Sequence, residues 1–238
     1  ATGWQLLAYE VPLAQGALPP THVATTLAAA VREALRRNAG LFLGIQETTN
    51  LLTRASGEVP DVVKEVLRAL PMQRVADVLR RLVAEGVSIR NLRDILEALA
   101  ETGQREKDAH ALTEFARIAL KRQLSHQVAP NGHLRALLLL PELEDTLRQA
   151  VRTSGGVSQL ALEPELSRRL VDSIAASVVR HQPQAIVCAI DVRWHVRKLI
   201  EPECFDTPVL SFHELMPTLQ LEVADRLALP SAALLEAA

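Results

Sequence analysis

The segment TSGGVS, residues 153–158, comes closest in residue types to a catalytic loop. Its two glycines are flanked by hydroxyl groups, but it lacks the lysine and the spacing of a phosphate-binding P-loop. It also lacks the G-x-S-x-G pattern that exposes a nucleophilic serine at a strand-to-helix turn. The pattern favours a plain turn between a helix and a strand. The alternative is a hydrolase-like α/β enzyme in which Ser154 and a histidine such as His195 converge.

The seven histidines could bind a metal only if residues distant in sequence came together. No two of them are four residues apart on one helix, and none lies in an H-E-x-x-H motif or beside a C-x-x-C motif. The sequence therefore predicts no metal and no cofactor. The histidines are His22, His110, His126, His133, His181, His195 and His213.

The densest cluster of carboxylates is Glu142, Glu144 and Asp145, directly after Pro141. Pro141 suits the first position of a helix, and negative side chains in a first turn face the positive end of the helix dipole. This structural role explains the cluster without a catalytic pair. The sequence predicts no enzyme.

Two predicted helices in the middle of the chain carry arginines interleaved with acidic residues: Arg80, Arg81, Arg90 and Arg93. One interpretation is a solvated face of mixed charge. The other is an electrostatic contact surface, because interleaved charges suit a self-complementary or head-to-tail interface. The pattern leaves both interpretations open.

The composition argues against nucleic acid as a partner. The 26 basic and 28 acidic side chains give a formal net charge of -2, and aromatic residues make up only 3%. Neither the basic excess needed to grip a phosphate backbone nor the aromatic platforms needed to stack bases are present.

The cysteines and the hydropathy pattern predict a soluble, cytoplasmic chain. Cys188 lies in an apolar run and is expected to be a buried thiol, with a disulfide to Cys204 as the less favoured alternative. The sequence has no apolar run long enough for a spanning helix and no signal-peptide pattern.

The amino-terminal region is predicted to contain one strand and one helix. The apolar run at residues 4–10 suits a strand, which the prolines and glycine beginning with Pro12 should end. An alanine-rich helix is predicted over residues 21–38, with Gly40 as its natural end. Its expected buried stripe consists of Val23, Leu27, Val31 and Leu35.

The middle of the chain is predicted to be helical throughout. Helices at residues 47–55 and 61–67 precede a strongly periodic helix that ends at Gly86. Ser88 is placed to cap the next helix, and the short connection predicts an antiparallel hairpin of the two, followed by a long helix over residues 108–128. The predicted inward residues are Val75, Val78, Leu79, Leu82 and Val83, then Ile89, Leu92, Ile95, Leu96 and Leu99, and finally Leu112, Phe115, Ala119 and Leu120.

The pattern changes after Pro130, where short apolar runs begin to alternate with helices. Helices are predicted to begin at Pro141 and Pro164, and strands at residues 134–140, 185–190, 208–212 and 219–227. Such alternation predicts an α/β layer with a mostly parallel or mixed sheet. The predicted fold class is α+β with several subdomains, a helical bundle-like middle followed by a C-terminal α/β part.

Four segments together carry a family likeness: QETTNLL at residues 46–52, LPMQRVADVLRRLVAEGVSIRNLRDILEALAE at 70–101, KDAHALTEFARIALKRQLSHQVA at 107–129 and LLLLPELEDTLRQAV at 137–151. They resemble the FHIPEP family, the export-gate proteins of flagella and of virulence-type secretion systems, of the FlhA and SctV types. The resemblance covers nearly the whole chain from about Val23 onward.

The resemblance implies a role in protein transport. Family members have a multi-pass membrane half and a cytoplasmic half, which assembles into a ring of nine below the export channel at the bacterial inner membrane. The ring receives complexes of export substrates with their chaperones and helps to order their export. Other proteins of the export apparatus, such as the ATPase stalk, are further implied partners.

The resemblance also implies a division of the chain. Residues 1–56 would belong to the first cytoplasmic subdomain, 57–130 to a helical subdomain and 131–238 to the C-terminal α/β subdomain. A second subdomain, which in the family is inserted into the first, is expected to be absent here between about residues 12 and 22.

Site residues follow from the same resemblance. Thr25 falls near the cleft in which chaperones dock in flagellar members, although the missing subdomain removes one wall of that cleft. Arg80, Arg81, Arg90 and Arg93 would take part in contacts between neighbours in the ring. The chain's ending, a strand, a short connection and a final strand, favours the injectisome type over the flagellar type, which remains the alternative.

Overall fold

The computed structural model describes residues 3–18, 21–154 and 157–230, with the side chains of residues 154 and 157 left out. The chain divides into two compact units, unit 1 at residues 1–115 and unit 2 at residues 116–238.

Unit 1 begins with an antiparallel β-hairpin. Strands β1 (Gly3–Ala8) and β2 (Val11–Ala17) flank a turn at Tyr9 and Glu10, whose φ angles of 50° and 67° suit a tight hairpin. The prediction that Pro12 ends the strand was wrong. Proline lacks a backbone donor, yet a two-stranded sheet consists only of edge strands, where that loss is tolerated.

Helix α1 (Val23–Arg37) confirms the predicted helix but not its buried stripe. Within the described residues only Ala34 of this helix is buried, while Val23 and Leu35 are 38% and 43% exposed. A 3-10 turn at Ala39–Phe42 follows, at the predicted end of the helix.

The core of unit 1 is built by four helices: α2 (Ile45–Ala55), α3 (Pro60–Ala69), α4 (Met72–Ala84) and α5 (Leu92–Thr102). The predicted stripe of α4 is confirmed by the burial of Val75, Val78, Leu79 and Leu82. Helix α5 packs mainly against α3, and α4 packs against α2, so the predicted pairing of α4 with α5 as a hairpin was wrong. The connection over residues 85–91 is long enough to carry the chain past α4.

Helix α5 begins later than predicted. Its N-cap is Asn91, whose Oδ1 accepts a hydrogen bond from the backbone N–H of Asp94 at 3.4 Å, whereas Ser88 lies outside the helix. Ile89, expected in the helical stripe, therefore precedes the helix. Asparagine and serine are comparable N-cap residues, so residue type alone did not separate them.

The predicted long helix is two helices, α6 (Ala109–Ala119) and α7 (Lys121–Val128). Leu120 interrupts them with φ −86° and ψ 12°. Leu112 and Leu120 are buried as predicted, but Phe115 and Ala119 are exposed. Thr113 and Arg117 are buried instead. Because both are polar, an apolar pattern could not identify the buried face of this helix.

The remaining elements belong to unit 2. In chain order they are β3 (His133–Leu139), α8 (Pro141–Ala150), β4 (Val151–Ser154), β5 (Val157–Leu160), α9 (Pro164–His181), β6 (Ala185–Cys188), α10 (Ile190–Ile200), β7 (Val209–Ser211), a 3-10 turn at Phe212–Glu214 and β8 (Gln220–Leu227).

Four of these strands form a wholly parallel sheet in the order β7-β6-β3-β8, which confirms the predicted α/β part. Alternation along β3 places Leu137 in one apolar cluster and Leu134 in another. The four residues of β6 are all buried. Burial on both faces is usual for a parallel sheet.

Two features of unit 2 differ from the prediction. The TSGGVS segment does not join a helix to a strand, since its two ends belong to β4 and β5, which pair antiparallel. Residues 155–156 lie outside the described part of the chain. Helix α10 was not predicted, because buried Arg193 and Arg197 interrupt its apolar pattern.

Cys188 and Cys204 are both buried thiols that are not joined in a disulfide. The prediction of a buried thiol at Cys188 is therefore confirmed. Burial, the largest influence, raises the pKa of the Cys204 thiol.

Across the described ranges, none of the helices combines the length with the apolar character that a membrane-crossing helix requires.

Candidate functional site

The histidine named as a possible catalytic base contacts a different serine. The side chain of Ser154 lies outside the described residues, while His195 Nε2 lies 3.3 Å from Ser158 Oγ. Burial lowers the pKa of His195, and its buried Nδ1 has no hydrogen-bond partner in the part of the chain that the structure describes. A catalytic base is normally oriented by a third group at that position. This geometry gives the hydrolase alternative no support.

The clustered carboxylates have structural partners. Glu144 Oε1 accepts a hydrogen bond from the backbone N–H of Ala189 at 2.7 Å, and Asp145 pairs with Arg148 on the same helix. Over residues 3–18, 21–154 and 157–230, no group of three or more His, Cys, Asp or Glu side chains is placed to hold a metal ion. No metal or cofactor site is assigned to these residues.

Two of the four candidate interface arginines lie on α4 and bind other parts of unit 1. Arg80 Nε donates to the Leu43 carbonyl oxygen at 3.0 Å, and its Nη1 lies 3.3 Å from Asp77 Oδ1. Arg81 Nη1 lies 3.2 Å and 3.3 Å from the two ring nitrogens of His110. Arg81 is half-buried, and burial lowers the pKa of its guanidinium group.

The other two candidate arginines are exposed near the start of α5. Arg93 Nε lies 2.8 Å from Glu97 Oε1, and this hydrogen bond raises the pKa of Arg93. Arg90 has no side-chain hydrogen bond or ion pair within the described ranges. Together with Arg54 they line a shallow cavity of about 370 Å³, which gives this end of α5 a basic surface.

Thr25 is exposed in the first turn of α1. The structure does not bring it together with the four arginines at one site. Strand β2 ends at Ala17 and α1 begins at Val23, so residues 18–22 alone connect them.

A groove that the sequence did not reveal adjoins the carboxyl-terminal end of α5. One cavity of about 470 Å³ is lined by Asp61, Val62, Glu65, Glu97, Ala100, Glu101 and Gln104. A second of about 450 Å³ is lined by Glu101, Thr102, Gln104, Arg105, Glu106 and Phe115. The two share Glu101 and Gln104, so they form one surface, called here the acidic groove. The four-residue spacing of Glu97 and Glu101 was its only trace in the sequence.

Unit 2 contains buried arginines that bind backbone carbonyl groups. Arg193 Nη1 donates to the Val209 carbonyl oxygen at 3.3 Å, and Arg197 Nη1 donates to that of Phe205 at 2.9 Å. The Arg197 guanidinium also lies 5.0 Å from the centre of the Phe205 ring. These contacts hold the segment that follows α10 and have a structural explanation.

The charged surface of unit 1 and the parallel sheet of unit 2 occur within a chain whose residues 14–220 match the FHIPEP family. The chain belongs to the FHIPEP family. Among curated relatives, "Low calcium response locus protein D" of Yersinia pestis is 38% identical over 232 residues, which cover 95% of this chain and 33% of the relative. "Invasion protein InvA" of Salmonella typhimurium is 39% identical over 193 residues, 79% of this chain and 28% of the relative. This FHIPEP chain spans about a third of the length of these relatives.

Solved structures of other proteins share the fold. The Shigella flexneri MxiA protein superimposes with a TM-score of 0.83 at 26% identity, over 93% of this chain and 82% of MxiA. The nonameric EPEC SctV-C superimposes with a TM-score of 0.78 at 32% identity, over 84% of this chain and 62% of SctV-C. Chlamydia pneumoniae CdsV, in its complex with CdsO, superimposes with a TM-score of 0.82 at 30% identity. The match covers 95% of this chain and 80% of CdsV.

Proposed function

We propose that this FHIPEP chain is the cytosolic portion of the export gate of a type III secretion system. In this role it forms a ring that receives complexes of substrates with chaperones and helps to order protein export. The observation that carries the proposal is the likeness to nonameric EPEC SctV-C, which extends over 84% of this chain with a TM-score of 0.78 and 32% identity.

The proposed organisation has three cytosolic parts, at residues 1–56, 57–130 and 131–238. A membrane half, present in the longer protein, would hold them at the cytoplasmic face of the bacterial inner membrane. The difference in length supports this, since the chain corresponds to 33% of the Yersinia relative. The direct passage from β2 to α1 through residues 18–22 supports the absence of the inserted second subdomain.

The proposed ring contact uses the charged surface of the helical part. Arg90 and Arg93 are exposed and could meet acidic groups of a neighbouring copy. Arg80 and Arg81 are tied to Leu43 and His110, so they would shape the contact surface rather than reach across it.

The proposed partners are chaperones with their substrates, and a stalk protein of the export ATPase. Thr25 is the proposed contact for chaperones, and its exposure on α1 is compatible with that role. The complex of Chlamydia CdsV with CdsO supports the expectation that a chain of this fold binds a further protein of the secretion apparatus.

The injectisome type is proposed over the flagellar type. Its support lies in the relatives' descriptions, which include an invasion protein of Salmonella and a hypersensitivity response secretion protein of Ralstonia. The nonameric EscV cytosolic domain, described as part of a type III secretion system, matches at 33% identity with a TM-score of 0.71.

Sedimentation velocity over a concentration series, at low and high salt, tests the assembly. We expect a salt-sensitive association whose largest species has the mass of nine chains, visible as rings by electron microscopy. The double variant Arg90→Glu/Arg93→Glu should associate more weakly, because like charges then face the neighbour's acidic groups. Its matched control is Arg122→Glu/Arg168→Glu, which reverses two exposed arginines elsewhere. A chain that stays monomeric at every concentration contradicts the proposal.

A further inference from the structure

The charges of α5 oppose the dipole of their own helix. The positive end of a helix dipole lies at its amino terminus and favours acidic side chains there, with basic side chains favoured at the other end. Arg90 lies just before the N-cap of α5 and Arg93 lies in its first turn, where Asp94 is the one acidic residue. The last turn contains Glu101 but no basic residue. The arrangement weakens the isolated helix, so its explanation lies in what these charges contact.

Most charged side chains of α5 have a partner on the same helix or at its N-cap. Arg93 pairs with Glu97, and Asp94 Oδ2 accepts a hydrogen bond from Asn91 Nδ2 at 2.6 Å. Across the described part of the chain, neither Arg90 nor Glu101 has a side-chain hydrogen bond or ion pair. The two groups left without a partner thus lie at opposite ends of one helix.

Glu101 lies in a setting suited to a guanidinium group. It is the carboxylate shared by the two cavities of the acidic groove. The Phe115 ring, 42% exposed, lines the same groove. An arginine entering there could pair with the carboxylate and lie against the aromatic ring, two contacts that together favour arginine over other side chains.

Arg90 lies in the opposite setting. Its cavity is also lined by Arg54, Arg93 and one carboxylate, Glu58, so three positive charges and one negative charge share a small surface. Contact with a carboxylate would relieve this repulsion.

Arg90 and Glu101 of one molecule are too distant to pair with each other. At a rise of 1.5 Å per residue, the helix from Leu92 to Glu101 alone spans about 14 Å, and Arg90 lies before its start. Two different, complementary patches on one molecule are what a head-to-tail contact between copies requires. A single repeated contact of this kind either closes into a ring or grows as a filament.

We propose that Arg90 of one copy enters the acidic groove of a second copy, where it pairs with Glu101 beside Phe115. The proposal rests on the proposed function for the premise that copies of this chain assemble. The carboxyl end of α5 in one copy then faces the amino end of α5 in the next, so the helix dipoles attract as well.

Engineered disulfides test the geometry. Under mild oxidation, the Arg90→Cys/Glu101→Cys double variant should give a ladder of covalent dimers, trimers and larger species. An equimolar mixture of the two single variants should stop at the dimer, and neither single variant alone should crosslink. The parent chain, whose own thiols are buried, is the control. Dimers formed equally by each single variant would show a symmetric contact instead and overturn the proposal.

Charge exchange tests the energetics. Arg90→Glu and Glu101→Arg should each weaken self-association about tenfold or more, and the double exchange should restore it to within about threefold of the parent. Arg122→Glu is the matched control. Glu101→Arg should also raise the melting temperature of the monomer, since a basic residue then lies at the carboxyl end of α5. A variant that associates more weakly but melts at a higher temperature has lost the contact between copies and not its fold.

The outcomes separate the two proposals. If the parent chain assembles but Arg90→Glu and Glu101→Arg associate as the parent does, the Arg90–Glu101 contact is wrong while the ring stands. If the parent chain remains monomeric and the double cysteine variant forms no ladder, both are overturned.

Discussion

Arg117 and Glu214, 97 positions apart in sequence, form a buried ion pair in which Nε lies 2.5 Å from Oε1. The other carboxylate oxygen of Glu214 accepts a hydrogen bond from the backbone N–H of Ser211. Ser125 Oγ donates to the Glu214 carbonyl oxygen at 3.2 Å. Within unit 2, this network connects the last turn of α6 and the helix α7 to the segment after β7.

Breaking the pair on one side should be more harmful than removing it. Arg117→Met should lower the free energy of unfolding by about 3 to 5 kcal/mol, because it leaves the Glu214 carboxylate buried and uncompensated. The double variant Arg117→Met/Glu214→Leu should lose less than the single variant. Urea denaturation followed by circular dichroism measures both. A double variant whose loss equals the sum of the two single losses would contradict the pairing.

His195 should make stability depend on pH. Burial lowers its folded-state pKa below the ordinary value of 6.5. Between these two values the unfolded chain binds a proton that the folded chain does not, so the stabilisation is complete above pH 6.5 and is lost as the pH falls. Replacing His195 by Gln should flatten the profile of unfolding free energy below pH 6.5. His133→Gln, at an exposed position, should leave it unchanged; equal profiles for the parent and His195→Gln would refute the prediction.

The start of α5 can be tested with two alanine substitutions. Asn91→Ala should cost about 1 kcal/mol, because it removes the side chain that caps the helix. Ser88→Ala should cost no more than about 0.5 kcal/mol, since Ser88 lies before the helix. Thermal unfolding of both variants gives the comparison, and a larger loss at Ser88 would place the cap at the residue favoured by the sequence.

Gly103 should not tolerate a side chain. A Cβ atom there would lie 2.5 Å from the Leu99 carbonyl oxygen and 2.6 Å from Leu70 Cγ. Gly103→Ala should therefore cost about 1 to 3 kcal/mol. Gly57 is the matched control, because its nearest atom would be the Arg54 carbonyl oxygen at 3.3 Å. Chemical denaturation should show a clearly smaller loss for Gly57→Ala than for Gly103→Ala.

Periodic apolar patterns predicted the elements where one face of a helix or strand is buried without polar exceptions. Helix α4 and strand β3 are examples, and α9 begins at Pro164 as predicted. The pattern failed where a buried position holds a polar residue, as at Arg117 in α6 and Arg193 in α10. Their burial depends on carboxylates and carbonyl groups far away in the sequence.

The candidate interface arginines were also predicted from the sequence only in part. Sequence identified Arg80, Arg81, Arg90 and Arg93 as one charged set, because all four follow the polar faces of predicted helices. The structure separates them, since two are bound within unit 1 and two are exposed. The sequence did not predict the acidic groove, because its lining comes from α3, α5, the connection over residues 104–106 and Phe115 of α6.

The amino-acid sequence by itself determined the order and type of most elements, the parallel α/β character of unit 2 and the family. These depend on local periodicity, on proline and glycine positions and on sequence segments that resemble those of a known family. Only the tertiary structure decided which charges are neutralised and which are left unpartnered, such as Arg90 and Glu101. The physical reason is that pairing is set by distances between atoms, and a chain brings together residues whose separation in sequence carries no record of those distances.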